Sequence, residues 1–127
     1  MEIMIVDDEP QVAEVLARSL SRQGHATTVA HSGEEALDLL RAGQFDAMFL
    51  DVSMPGMNGL DVMAEVQRLR PSLAVVVITG HATADEVERV KALGAVDVIP
   101  KPSALTHYHQ AIERLHARSA YSEPREL

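Results

Sequence analysis

Five polar side chains stand where apolar runs stop. Ile3-Met4-Ile5-Val6 runs into Asp7 and Asp8, Ala47 to Leu50 into Asp51, Leu73 to Ile78 into Thr79, and Val96 to Ile99 into Pro100 and then Lys101. Three carboxylates drawn together repel by roughly 4 kcal/mol per pair at about 4 Å and an effective dielectric near 20. Such a group needs a cation, or one acid must stay protonated. All-oxygen donors completed by water suit Mg²⁺ better than a transition metal. A lysine ammonium and a threonine hydroxyl beside them complement a tetrahedral dianion, and an aspartate so placed can attack a phosphoryl donor. Each residue also has a plainer reading. Asp51 is a natural turn former, Asp7 and Asp8 suit a helix N-terminus, Thr79 is a strand end and Lys101 a loop lysine. Their arrival together at the ends of different apolar runs favours chemistry.

The elements that must position them can be read in order. Ile3 to Val6 predicts a strand buried on both faces, and Pro10 fits the first turn of a helix with Val12, Val15, Leu16 and Leu20 inward, stopped by Gly24. Ala26 to Ala30, with Thr27 and Thr28, reads as an edge strand. Ser32-Gly33-Glu34-Glu35 is a capping box for a helix burying Ala36, Leu39 and Leu40 and ended by Gly43. After the strand Ala47 to Leu50, the breakers Pro55, Gly56 and Gly59 precede a helix with Leu60, Met63, Val66 and Leu69 on one face, terminated by Pro71. Leu73 to Ile78 is the most apolar run and predicts an interior strand. Thr83 and Glu86 form a second capping box, Val87, Val90 and Leu93 are periodic, and Gly94 supplies the stop. Val96 to Ile99 is a shorter strand whose Asp97 indicates an exposed side or an edge, and a last helix from about Ser103 buries Leu105, Ala111, Ile112 and Leu115. Five strand–helix alternations with short connections mean a doubly wound parallel α/β sheet covered on both faces. In such sheets ligands bind at the carboxyl edge of the strands.

The 127 residues suit one domain over residues 1–118, with 119–127 read as a tail or the start of a linker. A net charge of −8 argues against direct binding to nucleic acid or to an anionic membrane. No apolar run is long enough to span a bilayer, the N-terminus lacks the basic region of a signal peptide, and the absence of cysteine fits a reducing, cytoplasmic setting.

Taken together, Val6-Asp7-Asp8-Glu9, Asp51-x-x-Met54-Pro55-x-Met57-x-Gly59, Thr79-Gly80 and Lys101-Pro102 resemble the receiver domain of two-component response regulators, over residues 1 to about 117. The resemblance implies a flavodoxin-like (βα)5 fold with strand order 2-1-3-4-5, an order for which a chemotaxis receiver is a known example. It implies that Asp51 accepts a phosphoryl group from a sensor histidine kinase or a histidine phosphotransfer protein. Mg²⁺ would be bound by Asp8, Asp51 and the main-chain carbonyl of Ser53, with Asp7 assisting through water. Thr79 and Lys101 would contact the phosphoryl oxygens, and the Lys101–Pro102 peptide bond would be cis. The phosphorylated domain would switch conformation to control an output domain or effector, with a phosphorylation-dependent dimer as one form of that output. By the same resemblance, Ser53 and His81 flank the nucleophile and the threonine where the family tunes phosphoryl lifetime.

Two positions depart from the family pattern. Val98 stands where an aromatic residue usually precedes the lysine by three, and Ser103, read as a helix cap, stands where Phe often follows Lys-Pro. The switch is therefore expected to run through Thr79 and the loop after it. The competing reading is a Mg²⁺-dependent phosphatase with an aspartyl nucleophile. Haloacid dehalogenase-type hydrolases, however, place the nucleophile first in a pair of Asp separated by one residue on the first strand, and this chain has no room for a substrate-selecting cap. A flavin or dinucleotide site is disfavoured because an acidic pair stands where a glycine-rich phosphate loop would be. His107 and His109 lie two apart on a predicted helix and face different directions, which disfavours a metal site there. Met57 is expected to pack, its functional reading being a cover over the site.

Overall fold

The computed structural model describes residues 1–53, 59–80, 83–101 and 105–122, with side chains described for all of these except 105, 106, 116 and 118–122. Ten elements alternate: β1 (Glu2–Val6), α1 (Pro10–Arg22), β2 (Ala26–Ala30), α2 (Gly33–Ala42), β3 (Ala47–Asp51), α3 (Gly59–Leu69), β4 (Ala74–Thr79), α4 (Ala84–Ala92), β5 (Ala95–Pro100) and α5 (Leu105–Ser122). All four strand pairings are parallel and the order is β2-β1-β3-β4-β5, as the resemblance implies. The threonine-bearing β2 and the Asp97-bearing β5 are the edges. Asp97 is satisfied there by Arg114 of α5, whose Nε donates at 2.6 Å.

The two-residue strand period divides the core. Met4, Val6, Met48, Leu50, Val75 and Val77 face α2, α3 and α4 with Leu40, Met63, Val66 and Val90. Ile3, Ile5, Phe49, Val76 and Ile78 face α1 and α5 with Leu16, Leu20, Tyr108 and Ile112. Phe49 and Tyr108 meet edge to face, 5.3 Å between ring centres, beneath the carboxyl edge.

The helix ends follow local chemistry. Ser32 Oγ accepts from Glu35 N at 3.0 Å while Glu35 reaches back to His31 N at 2.6 Å, so the first capping box closes one residue earlier than its usual form. Gly94, after α4, has φ +109°, and a Cβ there would lie 2.2 Å from the Gln67 side chain. The backbone conformation requires glycine, whereas the Gln67 side chain could swing aside.

Two expectations are corrected. Val12 and Val15 of α1 do not point inward: they are 43% and 51% exposed, and the buried stripe is Ala13, Leu16 and Leu20. Val15 lies five residues from Leu20, about 140° round the helix at 3.6 residues per turn, so it cannot share Leu20's face. The last helix also stays helical through Ser122, beyond the point at which its apolar periodicity fades. Ser103, Pro102, His81, Met54, Met57 and the end of the tail lie outside the described residues.

Candidate functional site

Register brings the polar residues to one level. Val6 pairs with Leu50, so the next residues, Asp7 and Asp51, leave their strands side by side. Asp51 pairs with Ile78, and Thr79 with Pro100, which sets Thr79 and Lys101 one and two steps further along the same edge. Asp51 is fully buried, Asp7 and Thr79 nearly so, and Asp8 is exposed.

Asp51 is held from two sides. Its Oδ1 accepts the Ser53 main-chain N–H at 2.8 Å, an Asx turn that fixes the carboxylate against the following loop. Its Oδ2 meets Lys101 Nζ at 2.5 Å. Lys101 is itself anchored through its backbone, N–H to Thr79 O at 2.8 Å. Burial alone would lower the lysine pKa, but the hydrogen bond and charge of Asp51, backed by Asp7 and Glu9, hold it above its ordinary value.

Asp7, Asp8 and Asp51 each offer a carboxylate oxygen, and these atoms lie within 4.8 Å of one another. Oxygens sharing a small divalent cation sit about 3 Å apart when adjacent and about 4 Å when opposite, for metal–oxygen distances of roughly 2.1 Å. The donor set therefore suits a divalent metal in chemistry, and its spread is close to the span that one ion would need. Asp7 shows the cost of the cluster in its absence. Burial, and then the charge of Asp51, raise its pKa above the ordinary carboxylate range, against the Glu9 N–H at 2.9 Å and the charge of Lys101, which lower it. A carboxyl whose folded pKa is raised costs stability once ionised. That cost develops as pH rises through the ordinary value towards the folded one, and is absent in acid. Asp7→Asn should therefore raise the melting temperature of the metal-free protein at pH 7 by roughly 3–5 °C, the equivalent of about 1 kcal/mol at this size, with the gain vanishing below pH 3.5. A variant that melts lower at pH 7 would contradict this assignment.

Thr79 departs from simple convergence. By strand parity it faces α4, opposite to Asp51, and its hydroxyl donates to the carboxylate of Glu86 in the first turn of α4. Glu86 was legible only as the acid of a capping box. Thr83 Oγ1 does accept from Glu86 N at 3.2 Å, while the Glu86 carboxylate holds Thr79. Ser53, on the other side, links the two loops: its Oγ accepts Gly80 N–H at 2.9 Å. Val98 pairs with Val77 across the sheet and is half-buried against the α4 side of the core. His109 lies at the contact between two helices. Its Nε2 lies 2.8 Å from Ser19 Oγ and ties α5 to α1.

A doubly wound parallel sheet carrying an acidic cluster against a lysine at its carboxyl edge is an arrangement that suits an aspartate handling phosphoryl groups. The response regulator receiver domain family matches residues 3–113. The response regulator MprA of Mycobacterium avium (strain 104) is 42% identical over 107 residues, covering 83% of this chain and 46% of that protein. A CheY-like receiver domain protein from Methanospirillum hungatei JF-1 has the same fold, with a TM-score of 0.86 at 24% identity over 95% of this chain and 98% of that one. A response regulator from Burkholderia pseudomallei, solved with a phosphorylated aspartic acid, a calcium ion and citrate, matches with a TM-score of 0.80 at 28% identity over 99% of this chain and 76% of that one. The chain belongs to the receiver domain family of two-component response regulators. It is accordingly a conformational signalling switch that accepts a phosphoryl group, not an enzyme that turns over a free substrate, which sets aside the phosphatase reading. The chain spans about half the length of the curated relatives it matches. No helix among the described residues is long and apolar enough to cross a membrane.

Proposed function

We propose that Asp51 is the phosphoacceptor, taking the phosphoryl group of a histidine kinase or histidine phosphotransfer protein. A carboxylate oxygen of Asp51 attacks phosphorus, the P–N bond to the donor imidazole breaks with its electron pair passing to nitrogen, and the ring leaves as neutral imidazole, keeping the proton already on its other nitrogen. The observation that carries this reading is the setting of Asp51: a fully buried carboxylate held by Ser53 N–H and Lys101, with two further carboxylates beside it. Asp7, Asp8, Asp51 and the Ser53 carbonyl would hold Mg²⁺, whose charge, when bound, offsets that of the incoming phosphoryl oxygens. Lys101 then exchanges a carboxylate for a phosphoryl oxygen without leaving its place. Thr79 supplies a hydroxyl that turns to the same group, and Ser53 and His81 tune how long the acyl phosphate lasts. The cis Lys101–Pro102 bond belongs to the same reading, as do a cytoplasmic location, an output domain or effector partner and a phosphorylation-dependent dimer.

The test is the intact mass of the protein after incubation with Mg²⁺ and acetyl phosphate. A gain of one phosphoryl group is expected, absent in Asp51→Asn and absent without the metal. A phosphoryl group retained by Asp51→Asn would move the acceptor elsewhere.

A further inference from the structure

A threonine hydroxyl has one proton to donate. In this structure Thr79 gives that proton to Glu86, a residue on α4 rather than at the acidic cluster. Thr79 is 1% exposed and Glu86 is half-buried, so the bond is sheltered, and its acceptor is a carboxylate, which makes it stronger than a bond between neutral groups. Glu86 is tied through its backbone as well, because its N–H caps the helix on Thr83 Oγ1 at 3.2 Å. The hydroxyl of the fourth strand is thus joined directly to the first turn of α4. On the same side of the sheet β5 offers Val98, whose isopropyl group has no hydrogen-bonding atom and cannot carry a polar relay.

We propose that Glu86 is a positioning residue for Thr79: it holds the hydroxyl towards α4 in the unphosphorylated chain and surrenders it when a phosphoryl group arrives on Asp51. Two anionic acceptors then compete for one proton donor. When Thr79 turns to the phosphoryl oxygen, Glu86 loses its partner and the first turn of α4 is released from the sheet. The signal reaches α4 through a broken hydrogen bond, in a chain whose β5 lacks the aromatic ring. This inference rests on the reading of Asp51 as the phosphoacceptor.

The test is binding of beryllofluoride, a phosphoryl mimic, to the whole chain in the presence of Mg²⁺, followed by amide NMR. Glu86→Ala removes the competitor and should bind roughly 3–10-fold tighter than wild type, a fraction of what a charged hydrogen bond is worth when fully buried. Glu86→Gln keeps an acceptor oxygen without the charge and should fall between the two. In a Thr79→Ala background, Glu86→Ala should change affinity less than 2-fold, since the coupling runs through the hydroxyl. The Thr79 side-chain couplings, read without beryllofluoride, should change in Glu86→Ala, because the hydroxyl loses its carboxylate acceptor. Wild-type affinity in Glu86→Ala would overturn the proposal. So would an equal gain in the Thr79→Ala background, which would reduce Glu86 to a repelling charge. A wild-type chain that binds no beryllofluoride would overturn the phosphoacceptor reading, and this proposal with it.

Discussion

Lys101→Met will unfold at lower urea than the wild type in metal-free buffer at pH 7, by about 2–3 kcal/mol of stability. An exposed ion pair is worth about 0–1 kcal/mol, and its loss would hardly register. Here the pair is one-sided: Asp51 is fully buried while the lysine is 31% exposed. Removing the lysine strands a buried carboxylate beside Asp7 and Asp8, the situation in which breaking a buried pair costs about 3–5 kcal/mol. The access of Lys101 to solvent lowers that figure to the one expected. Methionine keeps most of the apolar stem, so lost packing contributes little.

The pH profile identifies the cause. The folded pKa of Lys101 is raised above its ordinary value, so its stabilising contribution is fully present below the ordinary lysine pKa, near 10.5, and is lost as pH rises through the higher folded value. The wild type should therefore hold this increment across neutral and mildly alkaline pH and lose it only above the ordinary value. Lys101→Met should lack that alkaline step. Adding Mg²⁺ should narrow the gap at pH 7, because a ligand of the native state adds stability by mass action and a divalent charge takes over part of the lysine's work at Asp51. Equal stability of the two proteins at pH 7 without metal would show that the Asp51–Lys101 pair is energetically idle.

How far the sequence can be read here depends on whether a residue's partner is near in the chain or set by packing. Val6 and Leu50 announce their strands by composition, and the polar residue that follows each run marks the carboxyl edge, so Asp7, Asp51, Thr79 and Lys101 could be brought to one edge from the order of elements alone. The face on which each side chain emerges was harder. Parity sends Asp51 and Thr79 to opposite faces, and it becomes definite only when Asp51 is found opposite Ile78. Glu86 carries two signals, a cap and a partner for Thr79, and the local one conceals the long-range one. Val12 and Val15 fit a helical period yet lie outside the stripe, because the inward direction of α1 is chosen by the sheet and not by the helix. Arg70 left no mark in the pattern: its Nη2 donates to Leu40 O at 2.6 Å and closes the end of α2 from the end of α3. Such a bond depends on two helix ends meeting in space.

Gly59→Ala should be a costly single-methyl change, for reasons that reach the site. Gly59 opens α3 directly against the residue that follows Asp51. A Cβ there would lie 2.4 Å from Val52 Cβ, 2.6 Å from its Cα and 2.8 Å from its carbonyl oxygen. Two of these three atoms are backbone, so no rotamer change relieves the overlap. Either α3 withdraws from its contacts through Met63 and Val66, or Val52 moves. Overpacking of this kind typically costs about 1–3 kcal/mol, and the rigid neighbour places this position at the upper end. Alanine's better helix propensity, about 1 kcal/mol over glycine in a helix interior, offsets little of that at a first-turn position. Val52 joins Asp51 to Ser53, and its N–H donates to Ile78 O at 3.0 Å. A displaced Val52 therefore disturbs the Ser53 N–H on Asp51 and the Ser53 hydroxyl on Gly80 together. Gly59→Ala should lose about 2–3 kcal/mol in urea unfolding and, at a temperature where it remains folded, gain phosphoryl mass from acetyl phosphate at least 10-fold more slowly. Gly59→Ser should behave no better, since it places the same Cβ in the same space. A folded Gly59→Ala protein that is phosphorylated at the wild-type rate would mean that the loop after Asp51 accommodates the helix without moving the carboxylate.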